Sequence, residues 1–209
     1  MPLEKYKKKR SFPGTPEPAG GRAKGSQLAF VVQKHAASRM HYDFRLELKG
    51  VLKSWAIPKG PSMNPSIKHL AMLVEDHPYN YKDFEGIIPE GQYGAGAVIV
   101  WDQGTYEPLE IGKTKNEREK IMIKEINAGS IKIFLQGKKL KGEFALVRML
   151  DRGENNWLII KHRDEYARTD DITAKDKSVI SRMTINQLKK KWENQNIGRP
   201  SKFKINKLA

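Results

Sequence analysis

From residue 27 onward the chain is a succession of short runs in which apolar residues alternate with polar ones or cluster. They are QLAFVVQKH, MHYDFRLEL, LKSWAIP, HLAMLVED, GAVIVWDQGTYEP, SIKIFLQG, GEFALVRML and NWLIIKH. Period-two runs of this length, closed at hairpin spacing by Gly50, Gly60, Gly104, Gly137, Gly142 and the DRGENN stretch at 151–156, form strands rather than helices. About eight short strands joined by tight turns predict a mainly β protein, an antiparallel barrel or sandwich. Helical spacing occurs at 117–127 (EREKIMIKEIN) and 184–196 (TINQLKKKWENQN), the second with Ile185, Leu188 and Trp192 on one stripe. One or two helices should therefore flank the β core.

Residues 1–27 differ in kind. A KYKKKR run leads into PGTPEPAGGRAKG, which cannot continue a helix or a central strand, and predicts a flexible basic arm ahead of a barrel domain at 28–168. A basic, partly helical segment, 169–209, follows. Of the net charge of +15 over 209 residues, most lies at the ends. Residues 1–25 carry seven basic and two acidic side chains, and residues 174–209 carry ten and two. Basic ends around a balanced centre suit a polyanion, because neutralised phosphates release counterions. With no cysteine, disulfides and thiolate metal sites are excluded, so any metal must be held by His and carboxylate. No stretch approaches the roughly 18 apolar residues of a membrane span. No apolar segment follows MPLEKYKKKRSF, which predicts a cytoplasmic protein.

The most informative run is HYDFRLEL at 41–48. Strict alternation turns Tyr42, Phe44, Leu46 and Leu48 towards a core and lines the other face with His41, Asp43, Arg45 and Glu47. An imidazole and a carboxylate two residues apart can chelate a divalent cation, and an Arg one step along can grip a phosphate with two hydrogen bonds. His35 lies across AASRM, where a tight connection could return it beside His41. In HLAMLVEDH (69–77), Glu75 and His77 share a face that could reach the same place, bringing three of the five histidines together with two carboxylates. Spacing alone does not say which His joins Asp43, and Arg45 with Glu47 could equally form a surface ion pair. The GQYGAG stretch at 91–96 opens onto a strand, not a helix, and is read as a turn rather than a phosphate loop; no nucleophile elbow or P-loop is present.

Two long stretches, QKHAASRMHYDFRLELKGVLKSWAIPKGPS (33–62) and VEDHPYNYKDFEGIIPEGQYGAGAVIVWDQGTYEP (74–108), resemble the 3′-phosphoesterase module of bacterial and archaeal ATP-dependent DNA ligase D, here in a free-standing form. GEFALVRM and NWLIIKHRDEYA resemble its closing strands, so the likeness covers roughly residues 6–168. The resemblance implies a compact antiparallel β-barrel of about eight strands with a groove on its surface, and a metal-dependent enzyme of DNA break repair, using Mn2+, with Zn2+ or Co2+ as other candidates. Such an enzyme removes a terminal ribonucleoside to leave a 3′-phosphate and then hydrolyses that phosphate to a 3′-OH. The partners it implies are DNA 3′ ends on primer-templates, with a separate DNA ligase, polymerase and Ku-type end-binding protein; no membrane is involved, and the protein is expected to be a monomer. By position, His35, His41 and Asp43 match the family's metal ligands. Arg45, Lys59, Glu75, His77 and Tyr81 match its groove residues, Arg45, His77 and Tyr81 being the candidates to hold the scissile phosphate and Glu75 to orient a ligand histidine. Arg10 and Glu17, in the arm, match residues used chiefly for ribonucleoside removal, so the arm is expected to fold over the groove only when DNA is present. His69 stands where the family usually has Arg, and Ser11 where it usually has Asp.

Two other readings compete. His41, Asp43 and His77 formally make the two-His-one-carboxylate triad of a non-haem iron oxygenase, and basic ends alone would serve a non-catalytic DNA-binding module.

Overall fold

The computed structural model describes residues 3–23 and 25–195. Ten strands are present among them: β1 (Leu28–Ala36), β2 (Met40–Leu48), β3 (Val51–Ile57), β4 (Lys68–Leu73), β5 (His77–Pro78), β6 (Gly86–Ile88), β7 (Gly96–Pro108), β8 (Ser130–Gly137), β9 (Lys141–Arg148) and β10 (Asn156–Lys161). β1 pairs with β2 on one edge and β7 on the other, closing the ring β1-β2-β3-β4-β10-β9-β8-β7 into an antiparallel barrel of eight strands. Closure leaves the main ring without free edges. The helices are α1 (Glu4–Lys8), α2 (Lys115–Ala128) and α3 (Ile185–Gln195). None of these helices is long and apolar enough to cross a membrane.

Local chemistry accounts for the joints. β2 and β3 are linked by Lys49 and Gly50, both at positive φ (50° and 79°), the geometry a two-residue hairpin needs. The strained Lys49 is held by Glu119 of α2, whose carboxylate accepts its backbone N–H at 2.8 Å. α2 begins earlier than the periodicity of 117–127 suggests because Thr114 and Glu117 form a reciprocal capping box, and it ends at Gly129 in the left-handed region. Thr184 and Gln187 cap the start of α3 in the same way. The expected stripe is real: Ile185 and Leu188 are buried against Ala36, Ala97 and Ile99, with Trp192 packed alongside.

Tyr42, Phe44, Leu46 and Leu48 fill the barrel interior with Phe30, Trp55, Trp101, Phe144 and Trp157. The register of β1 on β7 shifts between Val32 and Gln33, so Val32 faces Asp102 while Gln33 faces Val100. This bulge turns Trp101 into the interior and leaves Val100 and Gln33 outside it.

The opposite face of β2 is not solvated. Asp43, Arg45 and Glu47 are all buried, because a second apolar layer covers β1 to β3 from outside. That layer contains Tyr6, Val31, Leu52, Tyr81, Phe84, Ile88 and Val100. Tyr6 comes from the arm that composition sets apart from the barrel, and its hydroxyl donates to Pro18 O at 2.7 Å. The arm thus lies across the groove. Residues 169–179 close over the barrel in turn: Ile172 enters the main core, Trp101 Nε1–H donates to Lys175 O (2.7 Å), and Val179 N–H donates to Val100 O (2.9 Å). The last residue of the helix expected at 184–196, like all of 196–209, lies outside the described residues.

Candidate metal centre and phosphate cleft

Three loop residues, 37–39, join β1 to β2, and His35 and His41 become direct cross-strand partners with ring centroids 4.7 Å apart. Asp43 is one step along the same face. Its Oδ2 lies 3.5 Å from His35 Nδ1 and 3.8 Å from His41 Nε2. One ligand atom from each of the three residues falls within 4.8 Å of the others, so this group could hold a metal ion.

The tautomers are fixed from behind. His35 Nε2 is 2.9 Å from Gly94 O and His41 Nδ1 is 2.9 Å from Arg39 O. A carbonyl can only accept, so both of these nitrogens carry a hydrogen, and the opposite ring nitrogen of each histidine faces Asp43. This donor set, two nitrogens and one oxygen, fits a divalent transition metal.

Arg45 occupies the next outward position on β2. Its Nε donates to Gln33 Oε1 (2.8 Å), Nη1 to Ser54 Oγ (2.9 Å), and Nη2 lies 3.2 Å from Asp43 Oδ2. Gln33 in turn donates to Tyr81 O and Phe84 O, tying the guanidinium to the segment after β5. Burial would raise the Asp43 carboxyl, but Arg45 and the two imidazoles outweigh it and hold the group well below the usual carboxylate range.

On the far wall, His77 Nδ1–H donates to Glu75 O (2.9 Å), and its Nε2 accepts from Arg10 Nη2 (3.3 Å). Arg10 Nε also donates to Glu17 Oε1 (2.9 Å), an oxygen that accepts from the Tyr81 hydroxyl as well (2.8 Å). Burial and the Glu17 carboxylate push the Tyr81 hydroxyl well up, so it remains a donor. These groups line or back a cleft of about 200 Å³ between Arg10, His35, His41, Asp43, Arg45 and His77.

The structure therefore brings together His35, His41, Asp43, Arg45, Glu75, His77 and Tyr81, with Arg10 and Glu17 reaching in from the arm. Three of the five histidines do converge with two carboxylates. It does not bring Lys59 there: that residue is exposed in the turn after β3, outside the cleft lining. His69 is likewise elsewhere, donating from Nδ1 to Gly60 O (2.6 Å), and Ser11 is exposed. Glu47 is no part of the cleft and pairs with Lys115 of α2 rather than Arg45. The Glu75 side chain orients no ligand histidine; it binds Lys9 (3.0 Å) and Arg10 (3.4 Å). Nor is His41, Asp43 and His77 the assembled triad, since His77 is turned to Arg10 and His35 takes the third place. Sequence reasoning missed Gln33, Ser54 and the Gly94 carbonyl, of which only the glycine spacing left a signal.

Burial, then the Arg45 and Arg10 guanidinium groups, holds His77 well below its ordinary value of 6.5. Below that pH the unfolded chain binds a proton at this position that the folded one does not, so stability falls as pH drops. The lowered Asp43 carboxyl acts in the same sense only below about pH 4. Between pH 7 and pH 5 the urea midpoint should fall more steeply for the wild type than for His77→Gln. Parallel slopes would contradict a buried neutral His77.

The family model described as the DNA ligase D 3′-phosphoesterase domain matches residues 33–148, from the middle of β1 to the end of β9. The multifunctional non-homologous end joining protein LigD of Pseudomonas aeruginosa is 45% identical over 192 residues, covering 88% of this chain and 22% of that protein. The multifunctional non-homologous end joining DNA repair protein LigD of Mycobacterium tuberculosis is 44% identical over 148 residues, 70% of this chain and 18% of its own. Its counterpart in Mycolicibacterium smegmatis is 38% identical over 165 residues. The chain spans about a fifth of the length of these curated relatives. On the strength of the matched region, which contains His35, His41, Asp43, Arg45, Glu75, His77 and Tyr81, the chain belongs to the DNA ligase D 3′-phosphoesterase domain family.

Proposed function

We propose that this protein is a metal-dependent phosphoesterase that repairs DNA 3′ ends, removing a terminal ribonucleoside and hydrolysing a 3′-phosphate to 3′-OH during break repair in the cytoplasm. The observation that carries this reading is the meeting, in one cleft of a member of this family, of a two-His-one-Asp group with a buried guanidinium and a neutral imidazole. When bound at His35, His41 and Asp43, a divalent ion, manganese first and zinc or cobalt as alternatives, supplies Lewis-acid polarisation of a phosphoryl oxygen.

The chain's own residues do the rest. Arg45, immobilised on three acceptors, presents a fixed positive edge to the phosphate and needs no reorganisation as negative charge develops there. His77 turns Nε2 into the cleft as an acceptor, engaged by Arg10 Nη2, and a reacting group that displaces Arg10 there could give it a proton or a hydrogen bond. The Tyr81 hydroxyl and Arg10 are aligned by the shared Glu17 oxygen. The net charge of +15 favours a polyanionic partner. A separate ligase, a polymerase and a Ku-type end-binding protein would act on the same ends.

The test is incubation of end-labelled primer-templates ending in 3′-phosphate or a single 3′ ribonucleotide, with and without manganese. A metal-dependent conversion of both to 3′-OH strands is expected. Folded protein that leaves both ends untouched at saturating manganese, zinc and cobalt would overturn the assignment.

A further inference from the structure

Beside the phosphate cleft lies a second, larger depression of about 560 Å³, and Val74, Glu75 and Tyr93 belong to the walls of both. Its lining also includes Glu4, Lys5 and Lys9 of the arm, with Lys53 and Asp76. Arg10 and Arg45 line the cleft with Asp43 and Glu75, and a divalent ion at His35, His41 and Asp43 would make it net positive. In the depression three lysines face three carboxylates, with Lys9 on Glu75 (3.0 Å) and Lys53 on Asp76 (2.9 Å). A continuing DNA strand would bring its next phosphate against Glu4, Glu75 and Asp76, whereas a balanced polar hollow of this size suits one uncharged, hydroxyl-bearing group.

Tyr93 stands at the shared rim. It is 48% exposed, although most of the chain's other aromatic side chains are buried. Gly91 and Gly94, at φ 83° and 78°, hold the turn that carries it in a conformation other residues rarely adopt. Its hydroxyl accepts from Lys9 Nζ (3.1 Å), which is also 4.5 Å from the ring centroid. Arg10 Cζ is 5.5 Å from the same centroid, and an exposed ring at the mouth of a polar hollow can stack on a nucleobase.

We infer that this depression is the subsite for the terminal ribonucleoside itself, with Tyr93 stacking on its base and Lys53, Asp76 and Asn155 facing its sugar. The inference rests on the proposed function and adds where the departing nucleoside sits. A strand ending in 3′-phosphate would fill only the cleft.

Tyr93→Ala and Tyr93→Phe separate the possibilities, assayed on strands ending in a ribonucleotide, in the same ribose without a base, or in 3′-phosphate. For Tyr93→Ala, kcat/KM on the ribonucleotide end should fall at least about ten-fold further than on the phosphate end. Tyr93→Phe should keep the wild-type ratio, and the baseless ribose should show no extra loss. Equal losses on all three ends, or no loss on any, would overturn the subsite. A binding measurement needs no turnover: 2-aminopurine as the terminal ribonucleoside base should be quenched by wild type and Tyr93→Phe but not by Tyr93→Ala. Quenching that survives Tyr93→Ala overturns the inference whatever the catalytic outcome, while quenching lost with Tyr93→Ala in a protein that processes no ends refutes the proposed function alone.

Discussion

Asp43→Asn should abolish divalent-metal binding and reduce both 3′-end reactions by about 10³-fold or more while the barrel stays folded. The carboxylate is the only anionic member of the group, and Oδ2 is the atom on which His35, His41 and Arg45 all converge. Asn keeps the shape and offers Arg45 an acceptor but loses the charge. The fold survives because the interior faces of β2 hold Tyr42 and Phe44, on the side away from Asp43. Arg45 would retain Gln33 and Ser54, so the stability cost should stay within about 1–3 kcal/mol. Circular dichroism, metal content and single-turnover assays on one preparation check this. Near-normal phosphatase activity in a folded Asp43→Asn protein would remove the metal assignment.

Arg45→Lys should fail in both stability and catalysis. The guanidinium is almost fully buried and donates from three different nitrogens to Gln33, Ser54 and Asp43, on β1, β3 and its own strand. A lysine has one nitrogen at the end of a flexible stem and cannot meet three acceptors spread around a planar fork. Leaving two buried acceptors unsatisfied costs about 2–4 kcal/mol, a fall of very roughly 5–15 °C in Tm for a chain of this size. Losing the fixed positive edge should cost about 10²–10³ in kcat. Melting and rate measurements at saturating metal separate the two effects. A Lys variant with wild-type Tm and rate would show that Arg45 is neither a brace nor a phosphate contact.

Much of the site was legible because strand alternation and a short hairpin are local. HYDFRLEL announced its interior and exterior faces, and AASRM was short enough to return His35 to His41. The character of the exterior face was not legible, because what buries Asp43 and Arg45 is distant in the chain and carries no period. Tyr6 is one aromatic in a run of lysines, and the segment after it is rich in proline and glycine, so composition sets the arm apart while Tyr6 and Glu17 are buried against the barrel. The Gly94 carbonyl that fixes His35 is backbone, invisible as a residue type. Lys59 matched a motif by position, but the turn that carries it leaves it outside the cleft. Lys59→Ala therefore offers a contrast with the cleft residues.

The most direct test of the central claim is an anomalous difference map at the manganese edge from crystals grown with Mn2+ and from matched Asp43→Asn crystals. One strong peak bonded to His35 Nδ1, His41 Nε2 and Asp43 Oδ2, absent in the variant, is the predicted result. No peak at saturating manganese, or a peak held by other residues with His35 and His41 still turned to Asp43, would contradict it.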